Sequence, residues 1–344
     1  MGVRVFLQPR VVLVAATLAA AAASAVVGAQ QAQTPPALPN FDAVTVRSFR
    51  VQDNVYMLAG AGGNVTVQIG NDGVLVVDTQ FAQMADKLLA EIARLSGNKP
   101  IRYVIDTHVH PDHVGGNERF RRAGRAIVAG NVAGDVRGNE GATLIAHETV
   151  AARMSQQDGA TPPAAAGALP TDTFFGERDE VFFNGEAVRL IHQPAAHTDG
   201  DVLVFFRKSD VIATGDVYVN TSYPVIDMAR GGTINGIIAG LNRIIDITVP
   251  RDKQEGGTMV IPGHGRIADE ADVVEYLDLV TIIRDRFQDA IKKKMTLEQI
   301  KAAKLVRDYE GRYGATQGVW TTDAFLEAAY KSLSTPAATS SRTR

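Results

Sequence analysis

Short apolar runs broken by Gly and Asn open the patterned part of the chain: Val44 to Val51, Val55 to Ala59, Asn64 to Ile69 and Val74 to Asp78. This spacing predicts antiparallel strands, because brief apolar stretches bounded by turn residues pair with their sequence neighbours. From Gln83 to Leu95 the period changes: Leu88, Leu89, Ile92 and Leu95 recur at helical intervals, and Ile101 to Asp106 then reads as a buried strand. A second half repeats the style. Strands are expected at Val181 to Phe183, Ala187 to Gln193, Asp201 to Phe206 and Val211 to Gly215, a helix from Ile234 to Asp246, and a strand at Thr258 to Ile261. Between the halves, Glu140 to Met154 reads as a helix. Asp158 to Pro170 is a flexible stretch that either borders a substrate cleft or is an inert surface loop. Two β-rich halves, each followed by helices, predict an α/β fold of two packed sheets with helices outside.

Past Asp269 the pattern becomes purely helical, with helices expected over Glu270 to Lys293, Thr296 to Lys304 and Thr322 to Leu333. Thr296-Leu297-Glu298-Gln299 carries a capping box, Thr at the N-cap and Gln three positions on. The apolar positions Val273, Tyr276, Leu277 and Val280 suit packing on the main body, a cleft wall or a dimer interface alike, so the oligomeric state stays open. The Ser/Thr/Ala-rich tail from 334 to 344 is expected to fray.

The beginning of the chain carries an address. Arg4 and Arg10 precede an Ala-, Val- and Leu-rich run from Val11 to Val27, followed by the small residues Gly28 and Ala29. Residues 1–29 read as an export signal cleaved after Ala29. An Ala-weighted run of about 17 residues is short for a bilayer core of about 30 Å, so the expectation is a periplasmic or secreted protein with no stable membrane insertion once the signal is removed. Gln30 to Asn40, rich in Pro and Gln, is expected to be a disordered tether. The resulting plan is signal 1–29, tether 30–40, catalytic domain 41–269, helices 270–333 and tail 334–344.

Charge and cysteine usage narrow the chemistry. Losing Arg4 and Arg10 leaves 33 basic against 38 acidic residues, about −5, which disfavours nucleic acid as a partner and a nuclease function with it. With no Cys in the chain, no disulfide framework and no thiol nucleophile or ligand is available. Any metal site must come from His, Asp, Glu and water.

Such a site is visible in Thr107-His108-Val109-His110-Pro111-Asp112-His113. His108, His110, Asp112 and His113 crowd four metal-type donors into six positions of a chain with 7 His, directly after an apolar strand. Crowding of this kind makes sense when cations offset it. Two cations need about six or seven protein donors, so distant partners are expected at strand ends. His197 in Ala-His-Thr-Asp, Asp216 in Thr-Gly-Asp and His264 in Pro-Gly-His-Gly each flank an apolar strand beside small turn residues. His147 and His192 lie outside any motif and are read as a helix residue and a strand-surface residue, neither of them ligands.

These motifs in this order resemble the metallo-β-lactamase superfamily of hydrolases over roughly Phe41 to Asp269. The resemblance implies a four-layer αβ/βα sandwich with metals at one edge between the sheets. His108, His110 and His197 would hold one metal, Asp112, His113 and His264 the second, and Asp216 would bridge them. Many lactamases place a Cys where this chain has Asp216, which resembles the lactonase, glyoxalase II and general hydrolase branches instead.

Paired cations lower the pKa of a shared water toward about 7 and polarise the carbonyl it attacks. Asp112 is assigned as the group that orients or relays the water's proton. Asp78, at a strand end, is the candidate acceptor for a ligand imidazole. Tyr218, which strand alternation sets on the face of Asp216, is the candidate for pointing a phenol at the oxyanion, as similar lactonases do, and Asn220 is a weaker substrate-binding candidate. The expected cofactor is zinc, two ions per chain, with iron or manganese compatible with the donors. The expected partner is a small molecule with an ester, lactone, thioester or amide bond. The alternatives are a β-lactamase and an iron-dependent oxygenase or oxidoreductase on the same fold. A metal-dead binding protein would lack a ligand, and none is missing.

Overall fold

The computed structural model describes residues 38–127, 141–157 and 162–335. The expected export segment, nearly all of the tether, residues 158–161 and the tail from 336 lie outside them. The first sheet runs in chain order through β1 (Arg47–Gln52), β2 (Val55–Ala59), β3 (Val65–Ile69), β4 (Val74–Val77), β5 (Ile101–Ile105), β6 (Thr143–His147) and β7 (Asp172–Phe174). Its first four strands form an antiparallel meander and its last four are parallel. Parallel neighbours need crossovers. These carry α1 (Ala85–Ser96), α2 (Pro111–Val114) with α3 (Asn117–Ala123), and α4 (Glu148–Met154).

The second sheet follows the spatial order β13 (Ala268–Asp269), β12 (Met259–Ile261), β11 (Val211–Ala213), β10 (Asp201–Phe206), β9 (Glu186–Gln193) and β8 (Arg178–Phe183). It is antiparallel except between β11 and β12, which are joined through α5 (Ile234–Ile247). The C-terminal helices are α6 (Glu270–Lys292), α7 (Leu297–Ala303), α8 (Glu310–Tyr313) and α9 (Thr322–Ser334). The Thr296 capping box forms as the sequence requires, with Gln299 returning a bond of 2.8 Å to the Thr296 amide.

Three apolar layers show how the elements stack. Met57, Leu75, Val77, Ile105 and Ile145 of the first sheet meet Val188, Leu190, Val202, Val204 and Ile261 of the second. On the outer face of the first sheet, Val67, Val76 and Val104 pack against Leu88 and Ile92 of α1 and Phe120 of α3. On the outer face of the second, Leu203, Ile212 and Val260 pack against Ile237 and Leu241 of α5, Val273, Val280 and Ile283 of α6, and Phe325 of α9. The result is the expected four-layer sandwich with a C-terminal helical part. No described helix is long and apolar enough to cross a membrane.

Three local expectations are corrected. The stretch from 140 to 154 is not one helix: Thr143–His147 is strand β6, inserted between β5 and β7, and only Glu148–Met154 is helical. Ala, Leu and Glu favour a helix locally, but the open hydrogen-bonding edge of β5 takes the segment as a strand. The first strand begins at Arg47, after a 3-10 turn at Phe41–Ala43. His147 therefore ends a strand and caps α4 rather than sitting inside a helix. His192 is half-buried, its ring stacked on that of His147 at 3.6 Å.

Strands β4, β5, β11 and β12 all finish at one edge of the sandwich. Two main-chain bonds tie the sheets together there: Asn64 N–H to the Gly263 carbonyl at 2.7 Å and Val202 N–H to the Thr107 carbonyl at 2.8 Å.

Candidate metal centre

The loop after β5 turns at Thr107–His110, and Pro111, at the first position of α2, starts a short helix where its missing N–H costs nothing. His108 and His113 are fully buried, whereas the His110 side chain is 19% exposed. His197 comes from the loop between β9 and β10, Asp216 from a 3-10 turn after β11, and His264 from the turn after β12.

All seven expected donors converge. The Nδ1 of His110 and Nε2 of His197 are 2.8 Å apart. Asp216 Oδ2 lies 4.0 Å from His108 Nε2 and 3.7 Å from His197 Nε2, while its Oδ1 lies 3.3 Å from His113 Nε2 and 3.5 Å from His264 Nε2. Asp112 Oδ2 is 3.2 Å from His264 Nε2. The donor atoms of His108, His110 and His197 lie within 4.8 Å of one another, as do those of His108, His113 and Asp216 and those of Asp112, His113 and His264.

Hydrogen bonds on the far side of the rings set which nitrogen faces the centre. His197 Nδ1 gives its hydrogen to the Val225 carbonyl at 2.8 Å, His113 Nδ1 meets Asp78 Oδ2 at 2.7 Å, and His110 Nε2 meets Asp227 Oδ2 at 2.8 Å. A neutral imidazole has one N–H to give. In neutral rings with those hydrogens committed, His110 Nδ1 and His197 Nε2 would face each other as two lone pairs. The buried His108 Nε2 and Asp216 Oδ1 have no hydrogen-bond partner. Lone pairs and orphaned polar atoms aimed at a common point fit a bound cation, which satisfies all of them at once.

The electrostatics agree. Burial pushes His108 well down and His197 down to about 4, so both stay in the neutral form that ligates. Burial opposes charge on His113 as well, but Asp216 and Asp78 outweigh it and hold that ring well above the usual histidine range. Asp112 is held down to about 2, because His264 and His113 overcome its burial. Asp216 and Asp112 likewise draw His264 upward against its burial, so the two rings of the second group are drawn toward the protonated form, and a cation bound there would displace those protons.

Asp78 sits at a left-handed φ of 62° at the end of β4, and besides His113 it accepts from the Thr107 amide at 2.8 Å and the Thr107 hydroxyl at 2.7 Å. Asn tolerates this backbone and keeps one acceptor; Ala keeps neither advantage. Asp78→Ala is expected to lower the unfolding temperature, with about 1–3 kcal/mol for each stranded buried donor, and to weaken divalent-cation binding, read with zinc as the probe, about 10–100-fold. Asp78→Asn should lose affinity with less destabilisation. Thermal unfolding beside chelator-competition titration separates the two effects, and unchanged zinc affinity in both variants would refute the role.

Tyr218 is corrected. Strand β11 ends at Ala213 and Gly215–Val217 is a 3-10 turn, so strand alternation does not carry to 218. Its ring packs edge-on against Tyr276 at 5.3 Å, in the core beneath α5 and α6 and 1% exposed, and not as an open phenol over the centre. Asn220 bonds the main chain of Arg266 through both its side-chain atoms, at 2.8 and 3.1 Å, bracing the His264 turn. Asp227 and Val225 were not expected, since the Pro224–Arg230 stretch has no ligand-like spacing.

Fold and donor cluster together define a candidate metal-binding centre at one edge of a four-layer sandwich. The chain belongs to the metallo-beta-lactamase superfamily, whose sequence profile matches residues 58–232. The linear primary-alkylsulfatase of Pseudomonas sp. (strain ATCC 19151) is 23% identical over 262 residues, 67% of this chain and 47% of that protein. The metallo-beta-lactamase type 2 of Bacillus cereus is 22% identical over 211 residues, 60% of this chain and 69% of its own. Among solved structures, an inverting sec-alkylsulfatase from Pseudomonas sp. superimposes with a TM-score of 0.59 at 17% identity, covering 83% of this chain and 50% of that one. The chain thus spans about half the length of the alkylsulfatases it matches.

Proposed function

We propose that this protein is an exported hydrolase holding two divalent cations, zinc by preference, that opens an ester, lactone, thioester or amide bond of a small molecule. The observation that carries this reading is the convergence of His108, His110, His197, Asp112, His113, His264 and Asp216 on one sheet edge. Cations bound there supply hydroxide near neutral pH and polarise the bond under attack. The chain's own work is done around them. Asp216 presents one oxygen to each histidine group, and Asp78, Asp227 and the Val225 carbonyl fix ring orientation. Asp112, a quarter exposed in its side chain, is positioned to orient the proton of the attacking water and pass it to the leaving group.

Two narrower substrates are favoured by the relatives. The Pseudomonas primary-alkylsulfatase matches 67% of this chain and the Bacillus cereus lactamase 60%; the first favours a sulfate ester and the second a β-lactam. Purified protein loaded with zinc should turn over at least one of an alkyl sulfate, an aryl ester, an acyl lactone, a thioester or a chromogenic cephalosporin. Chelator dialysis should abolish the activity and zinc restore it. Stoichiometric iron with oxygen uptake, and no hydrolysis of any of the five, would overturn the proposal in favour of an oxidoreductase. Export predicts that the protein recovered outside the cytoplasm begins at Gln30.

A further inference from the structure

One short segment grips two of the three rings in the first histidine group. Val225 offers its carbonyl to His197 Nδ1, and two residues on, the Asp227 amide donates to the His197 carbonyl at 3.0 Å while its carboxylate meets His110 Nε2. The carboxylate is itself held. Arg230 Nη1 lies 2.6 Å from Asp227 Oδ2, and the Arg230 amide donates to Oδ1 at 3.1 Å. The segment is also locked against the His197 loop. The Asp199 amide bonds the Arg230 carbonyl at 2.8 Å, and a Cβ on Gly232 would fall 2.1 Å from the His197 carbonyl oxygen.

His110 is the most exposed ring of its group, with a side chain 19% exposed against 0% for His108 and His197. Packing alone therefore leaves it the freest of the three, and the bond across 117 residues to Asp227 supplies the missing restraint. The second group leans directly on a different support, Asp78 at the end of β4 in the opposite sheet, which reaches the first group by way of the Thr107 hydroxyl, 3.1 Å from His108 Nδ1, and does not touch His110 or His197.

We propose that Asp227 is a positioning residue for His110, and that the Val225–Arg230 segment sets how tightly the first cation is held, independently of the second. The inference rests on the two-cation reading above. A carboxylate accepting the Nε2 hydrogen both aims the ring and makes Nδ1 a stronger donor.

The test is a zinc titration of the metal-free full-length protein against a chromophoric chelator, repeated with cobalt to read the ligand-field spectrum. Wild type should show two binding steps. In Asp227→Ala one step should weaken about 10–100-fold with the other unchanged and the matching part of the cobalt spectrum altered. Asp227→Asn, which keeps an acceptor of the same shape but loses the charge, should fall between, and it decides the matter if the alanine variant fails to fold. Asp78→Asn should weaken the other step. Wild-type affinity at both steps in the Asp227 variants, equal weakening of both steps, or weakening of the same step by Asp227 and Asp78 substitutions would overturn the inference. A wild type that takes up no zinc would overturn the two-cation reading itself.

Discussion

Asp216→Ala should abolish hydrolysis and reduce bound metal from about two equivalents to one or fewer. Among the described residues no other carboxylate is shared by both donor groups in this way: its two oxygens lie between 3.3 and 4.0 Å from four imidazole nitrogens, His113 and His264 on one side and His108 and His197 on the other. Two cations held a few ångströms apart would repel, and the buried Asp216 carboxylate would supply charge that offsets the repulsion. Without it, the one carboxylate left among the seven donors is Asp112, which lies on the His113 and His264 side and offers nothing to His108 and His197. The fold should persist, since Asp216 occupies a 3-10 turn that alanine accepts and bonds no part of the sheets through its side chain. Elemental analysis and turnover of the same preparation check this together. Two retained equivalents with turnover intact would sink the assignment of Asp216 as the shared ligand.

Gly263→Ala should be nearly as damaging without replacing a ligand. A Cβ at this position would lie 2.0 Å from Asp216 Oδ1 and 2.6 Å from the Gly215 carbonyl carbon. The turn has little freedom to move away. The Gly263 amide bonds the carbonyls of Gly215 and Tyr218 at 2.9 and 3.0 Å, and its carbonyl accepts from Asn64 across the sheets at 2.7 Å. The added methyl must therefore displace the Asp216 carboxylate or the turn beneath it. A displacement of about 1 Å at a reacting centre costs about 100-fold in rate, and overpacking adds about 1–3 kcal/mol of destabilisation. Gly311→Ala is the control: it lies in α8 with no atom within 4 Å of an added Cβ, so kcat/KM should not move. If Gly263→Ala keeps wild-type kcat/KM and metal content, the placement of Asp216 is less critical than its contacts imply.

Much of this site was legible in the residues because metal chemistry writes itself locally. His108, His110, Asp112 and His113 are spaced by a single turn and one short helix, and His197, Asp216 and His264 each sit where an apolar run meets a small residue. The residues that aim the rings leave no such trace. Asp227 and Val225 differ in no way from other loop residues until the fold brings them to His110 and His197. Tyr218 misled for a related reason: alternation is a property of strands, and the chain leaves β11 at Ala213 before reaching it. Thr143–His147 misled because helical composition is a local preference, whereas its partners on β5 and β7 are distant in the sequence.

What the sequence determined by itself was the succession of strands and helices outside the β6–β7 region, the helical C-terminal part and the kinds of atoms available to bind a cation, since periodicity and donor chemistry belong to individual residues and their neighbours. What the tertiary structure decided was which nitrogen of each ring faces inward, which carboxylate is shared, and which glycine has no room for a methyl. Those properties depend on bonds and contacts such as His110 with Asp227 and Gly263 with Asp216, across 117 residues in the first case. Their partners become neighbours only when two sheets close on the same edge.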